Sequence, residues 1–325
     1  MQALRFESVG DPLEVLKCSE LEIPEPGPGE VRLKMGLMPI NPSDLLQVRG
    51  LYGRKAQVPA TAGLEGLGVI DALGVGCNHF QRGQRVVPLT AQGTWAECLV
   101  VPAETLLSVP DGLSDESAAQ IMVNPLTAWI MAEELNLGPR DWLVQSAAGS
   151  IVGRCLIQLS KIRGYKTLNL VRRREQIEEL LSEGADAVVC TEDADWPKQA
   201  ERVIPMGATA AVDAVGGRLS GQLLKCLKPR STLVVFGALS MEPLQIPGGQ
   251  LIFKVTVVKG FWLTDWKRHT PKPERDRVLS ELLSAMTQGH ITPPVEAIYP
   301  MSNFQEAITH ATRSGRHGKV LLRTG

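Results

Sequence analysis

Hydrophobic and polar positions follow two different rhythms along this chain. From residue 141 onward, short apolar runs at 142–145, 167–171, 187–190, 210–213, 232–236 and 255–259 are separated by longer stretches of helical period. The first of these stretches places Val152, Leu156, Ile157 and Leu159 on one face. Six strand-then-helix steps at this spacing predict a parallel, doubly wound sheet. Residues 1 to about 110 read differently. Strand-like runs at 3–6, 30–40, 68–73, 85–89 and 94–101 are divided by turn signals such as Pro26-Gly27-Pro28-Gly29 and Gly74-Val75-Gly76. That pattern predicts a small all-β barrel. Ser114, followed by Asp115 and Glu116, marks a helix start, and Asn124-Pro125 marks another. The tail returns to helix at 275–288 and 304–313, then closes on a strand-like 319–322. A terminal strand needs a partner, and the β-rich beginning of the chain supplies one. The expected fold class is therefore α/β with a discontinuous first domain, 1–121 with 269–325, and a parallel-sheet domain, 122–268.

Composition narrows the function classes. A chain of 325 residues with 44% hydrophobic and 21% charged residues is an ordinary globular protein of two domains. A net charge of −1 argues against nucleic acid or an anionic membrane as partner. No apolar run reaches the length of a membrane span. The six cysteines are scattered with no C-x-x-C pair, which reads as reduced thiols. With a strand-like segment beginning at Ala3 and no room for a leader before it, the expectation is a cytoplasmic protein.

The chemistry concentrates in residues 142–174. A strand runs into the small-residue turn Ser146 to Gly153, and a helix follows. Such a turn, at the positive end of a helix, seats a pyrophosphate. The usual dinucleotide fingerprint carries an acidic residue about 20 positions later, for the ribose 2′-hydroxyl. Here Arg172, Arg173 and Arg174 stand there, Arg172 nineteen residues after Gly153. Three cations beside a helix N-terminus repel unless an anion sits among them. A 2′-phosphate is that anion, so the expected cofactor is NADPH; a solvated basic turn is the alternative. The turn lacks G-x-G-x-x-G, and β-branched Ile151 stands where glycine is common. Ile151 must therefore keep a negative φ, with Ser150 and the backbone N–H groups facing the ligand.

The segments MPINPSDLLQVRGLYG, VNPLTAW, LVQSAAGSIVG…LNLVRRR and LIFKVTVVKGFWLTDWK resemble the medium-chain dehydrogenase/reductase superfamily. More narrowly, they resemble its zinc-free 2-enoyl thioester reductases. The resemblance implies a GroES-like barrel carrying the catalytic residue, and a Rossmann sheet binding NADPH. It implies reduction of the C2=C3 bond of a trans-2-enoyl thioester, carried by coenzyme A or by an acyl carrier protein. It also implies a homodimer. Zinc-dependent members place a cysteine where this chain has Asn41-Pro42-Ser43-Asp44, and a histidine before glutamate where it has Leu64-Glu65. No metal is expected.

Residue by residue, the resemblance makes Tyr52, between Gly50 and Gly53, the proton donor. A phenol of pKa about 10 suits an enolate. Asn124 and Lys319 match positions that reach the cofactor. Phe236, Gly237, Ala238 and Leu239 follow the fifth strand of the sheet and should pass near a nicotinamide; Phe261, Trp262 and Leu263 follow the sixth and could wall the nicotinamide pocket, pack a dimer interface, or do both. Ser150, Ile151, Val152 and Gly153 line the turn, and Arg172, Arg173 and Arg174 hold the 2′-phosphate. Arg49, Arg54 and Lys55 flank Tyr52 and could meet substrate phosphates, an acidic carrier protein or only solvent. Two alternatives stay open: a quinone or enone reductase of the same superfamily, and an NADPH-binding protein without catalysis.

Overall fold

The computed structural model describes all residues from Met1 to Gly325. The chain divides into two compact units, Met1–Val123 with Pro293–Gly325, and Asn124–Thr292. The return to the first unit thus falls at 292/293, not at 268/269 as expected. The helix Lys272–Thr287 stays with the second unit, where Arg277 pairs with Glu133 of the helix Asn124–Leu135. Apolar Val278, Leu279, Leu282 and Met286 bury one face of it.

The first unit is built on a seven-stranded sheet and a three-stranded one. Its long strand Glu30–Pro39 is central, antiparallel to Leu67–Leu73, to Cys98–Pro102 and to the terminal strand Lys319–Arg323. The terminal strand also pairs in parallel with Val295–Pro300. That last strand has no clean alternation, being half-buried along most of its length, and the apolar pattern does not announce it. Alternating Val31, Leu33 and Met35 join Phe6, Ile70, Val86, Trp95, Val320 and Leu322 in one core.

The second unit holds six parallel strands. In spatial order they are Ala187–Cys190, Lys166–Val171, Trp142–Gln145, Ala208–Asp213, Leu227–Val235 and Val257–Gly260. In order of occurrence this is 3-2-1-4-5-6, the doubly wound arrangement. The direction of winding reverses between Trp142–Gln145 and Ala208–Asp213, and the crevice at such a switch is where ligands bind. Buried Val144, Leu168, Leu170, Ala211 and Leu233 read as continuous apolar runs because the sheet is covered on both faces.

Candidate functional site: a dinucleotide turn and a buried polar cluster

In the second unit, every expected cofactor residue that follows a strand lies along one edge of the sheet. The strands are parallel, and Gln145, Val171, Asp213, Val235 and Gly260 end them together. The turn 146–150, Arg172 to Arg174, Phe236 to Leu239 and Phe261 to Leu263 therefore issue from the same carboxyl edge. Asn124 is buried at the start of its helix. Trp262 stands at the N-cap position of the short helix Leu263–His269, without a side-chain capping bond.

The turn solves its missing glycine locally. Ile151 becomes the first residue of the helix Ile151–Arg163, with helical backbone. The positive φ falls on Ala147 instead, at 48°. Ser150 caps the helix by accepting from the Gly153 amide at 3.2 Å. A Cβ on Gly153 would lie 2.3 Å from the Ala148 carbonyl oxygen, so glycine alone lets the helix pack this close to the turn. Buried Arg154 donates from Nε to the Gly149 carbonyl at 3.2 Å and pairs with Glu179 and Glu183. Sequence reasoning missed this brace; its signal was a charged residue inside an apolar helical face.

The crevice is also tied from below. Asp213 is fully buried and accepts from Ser146 Oγ at 2.7 Å, from Ser220 Oγ at 2.6 Å and from the Val215 amide at 2.8 Å. Ser146 Oγ in turn accepts from the Ala214 amide at 2.9 Å. The two strands flanking the switch point are thereby held by side chains as well as by the ladder. Gly237 approaches the same place, since a Cβ there would lie 2.6 Å from the Ala214 carbonyl oxygen.

The three arginines are not equivalent. Arg174 pairs with Asp193 at 2.6 Å. Arg172, which is exposed, and Arg173, which is half-buried, meet no carboxylate within the second unit. Two uncompensated guanidinium groups beside a glycine turn with a capped helix N-terminus fit the charge and shape of a phosphorylated dinucleotide.

The first unit holds Tyr52 and Lys319. Tyr52 is half-buried in the turn after the helix Pro42–Val48, its amide donating to the Leu46 carbonyl at 3.2 Å. Lys319 is almost wholly buried and donates from Nζ to Asn41 Oδ1 at 2.7 Å. Asn41 Nδ2 donates to Glu65 Oε1 at 2.7 Å, and the Asn41 amide donates to Asp44 Oδ2 at 2.7 Å. Burial pushes the Asp44 carboxyl up to about 7, against the opposing pull of the Asn41 amide and the Lys319 charge. A zinc ion does not fit this donor set. Its ligands are thiolate, imidazole and carboxylate. Beside the carboxylates of Asp44 and Glu65 this cluster offers no thiolate or imidazole, only an amide and a positively charged ammonium.

Two family models match the chain: the alcohol dehydrogenase GroES-like domain over residues 27–111 and the zinc-binding dehydrogenase over residues 152–281. The mitochondrial enoyl-acyl-carrier-protein reductase of Xenopus tropicalis is 33% identical over 318 residues, covering 94% of this chain and 91% of that one. The Homo sapiens protein of the same name is 34% identical over 330 residues, covering 99% and 88%. The Escherichia coli quinone oxidoreductase, solved with NADPH, superposes with a TM-score of 0.91 at 25% identity, covering 99% of this chain and 100% of that one. The chain belongs to the medium-chain dehydrogenase/reductase superfamily, in its zinc-independent, enoyl-reductase-like branch. It is an oxidoreductase of that class.

The expected compartment is overturned. The enoyl-acyl-carrier-protein reductases from Xenopus tropicalis, Homo sapiens and three other vertebrates are by name mitochondrial, which contradicts a cytoplasmic assignment. That assignment leaned on a strand-like segment close to Met1 and on thiols read as reduced, and neither reports a compartment.

Proposed function

We propose that this protein reduces the C2=C3 double bond of trans-2-enoyl thioesters with NADPH. The observation that carries the cofactor reading is the pair Arg172 and Arg173, without carboxylate partners at the edge of the dinucleotide turn. The turn Ser150 to Gly153 would hold the pyrophosphate through the Ile151 and Val152 N–H groups, the Gly153 amide being already given to Ser150 Oγ and the Ser150 amide to the Ala147 carbonyl. Phe236 to Leu239 and Phe261 to Leu263 would wall the nicotinamide, and Asn124 and Lys319 would contact the cofactor. NADPH, when bound, supplies a hydride to the β-carbon of the substrate. Charge then develops on the thioester oxygen, and the Tyr52 hydroxyl donates a hydrogen bond to it and delivers its proton to the α-carbon. The names of the Xenopus tropicalis and Homo sapiens relatives support the substrate class.

The partner is a second copy of this chain. Val257–Gly260 is the outer strand of the six, paired on one side only. Beside it Ile252 is 70% exposed, Phe253 84% and Val257 54%. An open strand edge with an apolar margin is a surface that a protein covers, and two such edges can pair about a twofold axis.

A second reading, NADPH-dependent reduction of quinones or enones, is favoured by the likeness to the E. coli enzyme. Following NADPH consumption with crotonyl-CoA, longer enoyl thioesters and quinones decides the matter. Turnover of thioesters with no turnover of quinones is expected. The reverse result overturns the substrate class, and tight NADPH binding with no acceptor reduced overturns catalysis.

A further inference from the structure

The first unit contains a cavity of about 510 Å³ that the chemistry at Tyr52 leaves unexplained. Gln47, on the helix Pro42–Val48, lines it and is buried. Its Oε1 has no hydrogen-bond partner. Native proteins rarely keep a buried amide oxygen unpaired unless something else satisfies it. Ala60, Leu99 and Val100 supply apolar wall. Arg54 and Lys55 line the cavity too, both exposed, two and three residues after Tyr52 in the same turn. They meet no carboxylate within the unit. The volume falls in the range of small-molecule sites, which pair apolar walls with a few convergent polar groups.

A buried amide, aliphatic walls and two exposed cations complement a ligand that has an amide, a branched aliphatic segment and a phosphate. We propose that this cavity takes the phosphopantetheine arm of the substrate, with Gln47 meeting an amide of the arm and Arg54 and Lys55 meeting its phosphate. The inference rests on the enoyl-thioester reading above. A guanidinium beside an ammonium binds phosphate through charge-assisted hydrogen bonds. The arm is common to coenzyme A and to acyl carrier protein, so the site reads the shared part and not the carrier.

The test has a binding arm and a kinetic arm. In the first, pantetheine 4′-phosphate is titrated calorimetrically into the NADP⁺-loaded protein, with inorganic phosphate as control. Saturable binding at least tenfold tighter than phosphate is expected, weakened at least tenfold by R54A/K55A and by Q47L. In the second, kcat/KM is compared for crotonyl-CoA, crotonyl-pantetheine 4′-phosphate and crotonyl-N-acetylcysteamine, which lacks the phosphate. In R54A/K55A the ratio of either phosphorylated substrate to the truncated one should fall at least tenfold. No binding of pantetheine 4′-phosphate, or equal losses on all three substrates, overturns the proposal. A loss confined to crotonyl-CoA also overturns it, because the cations would then read the nucleotide end. Should no thioester be reduced at all, the function proposed above fails, while the calorimetric result still decides the cavity. Q47L is a buried change, and the exposed double variant tests the site should Q47L fold poorly.

Discussion

Lys319 Nζ and Asn41 Oδ1 lie 2.7 Å apart, joining positions separated by 278 residues of chain. The bond closes the terminal strand against the helix start at Asn41, where the backbone amide is already held by Asp44. It sets one buried ammonium among two fully buried carboxylates, Asp44 and Glu65. A buried charge cluster of this kind responds to protons.

Asp44 makes stability fall as pH rises. Its native pKa is raised to about 7 from an ordinary 3.8, chiefly by burial. Between those values the native state holds a proton that the unfolded chain has lost, so stability declines across that window and levels off above it. A shift of this size corresponds to about 4 kcal/mol at most. Asp44→Asn keeps an acceptor for the Asn41 amide and removes the titration. Urea unfolding at intervals from pH 4 to 8 should show a declining stability in the natural protein and a flatter profile in the variant. Identical profiles would show that Asp44 stays ionised throughout.

Cofactor choice should rest on two arginines and not three. Arg172→Ala with Arg173→Ala should raise the KM for NADPH strongly, since each lost contact to phosphate is worth about 1.5–3 kcal/mol. Use of NADH should hardly change. Arg174→Ala should matter less, because that side chain is paired with Asp193. A natural protein that prefers NADH in steady-state assays would defeat the argument.

Tyr52→Phe removes one hydroxyl and keeps the ring. Its kcat with crotonyl-CoA should fall by about 10²–10⁴, the usual effect of losing a positioned acid. The fall should appear equally in kcat/KM, as for an interaction made in the transition state. NADPH affinity, measured by fluorescence titration, should stay near that of the natural protein, because the turn and its arginines belong to the other unit. Unchanged turnover would assign proton delivery elsewhere.

The outer strand predicts the effect of charge at its margin. Phe253→Asp with Ile252→Asp places two carboxylates on an apolar surface beside Val257–Gly260. Sedimentation should report a dimer for the natural protein and a monomer for the variant. NADPH binding should persist, since neither residue issues from the carboxyl edge of the sheet. A variant that remains dimeric would move the interface to another face.

Much of this was legible in the chain because its physical cause is local. Apolar runs of four or five residues separated by helical period specify a doubly wound parallel sheet, since strands covered on both faces are apolar through their buried length. The strands Trp142–Gln145 and Ala187–Cys190 fall where the runs place them. The turn, the capping serine and the cluster of arginines are likewise set by neighbours in sequence. Other features exist only once distant segments meet. Which arginine is free to meet an anion depends on Asp193, supplied by a different loop. The brace from Arg154 to Gly149 needs the helix to be formed and two glutamates to approach it. The half-buried strand Val295–Pro300 is a strand only because Lys319–Arg323 lies beside it. Above all, the cluster of Asn41, Asp44, Glu65 and Lys319 has no sequence signature, because burial and a partner 278 residues away decide whether those side chains carry charge.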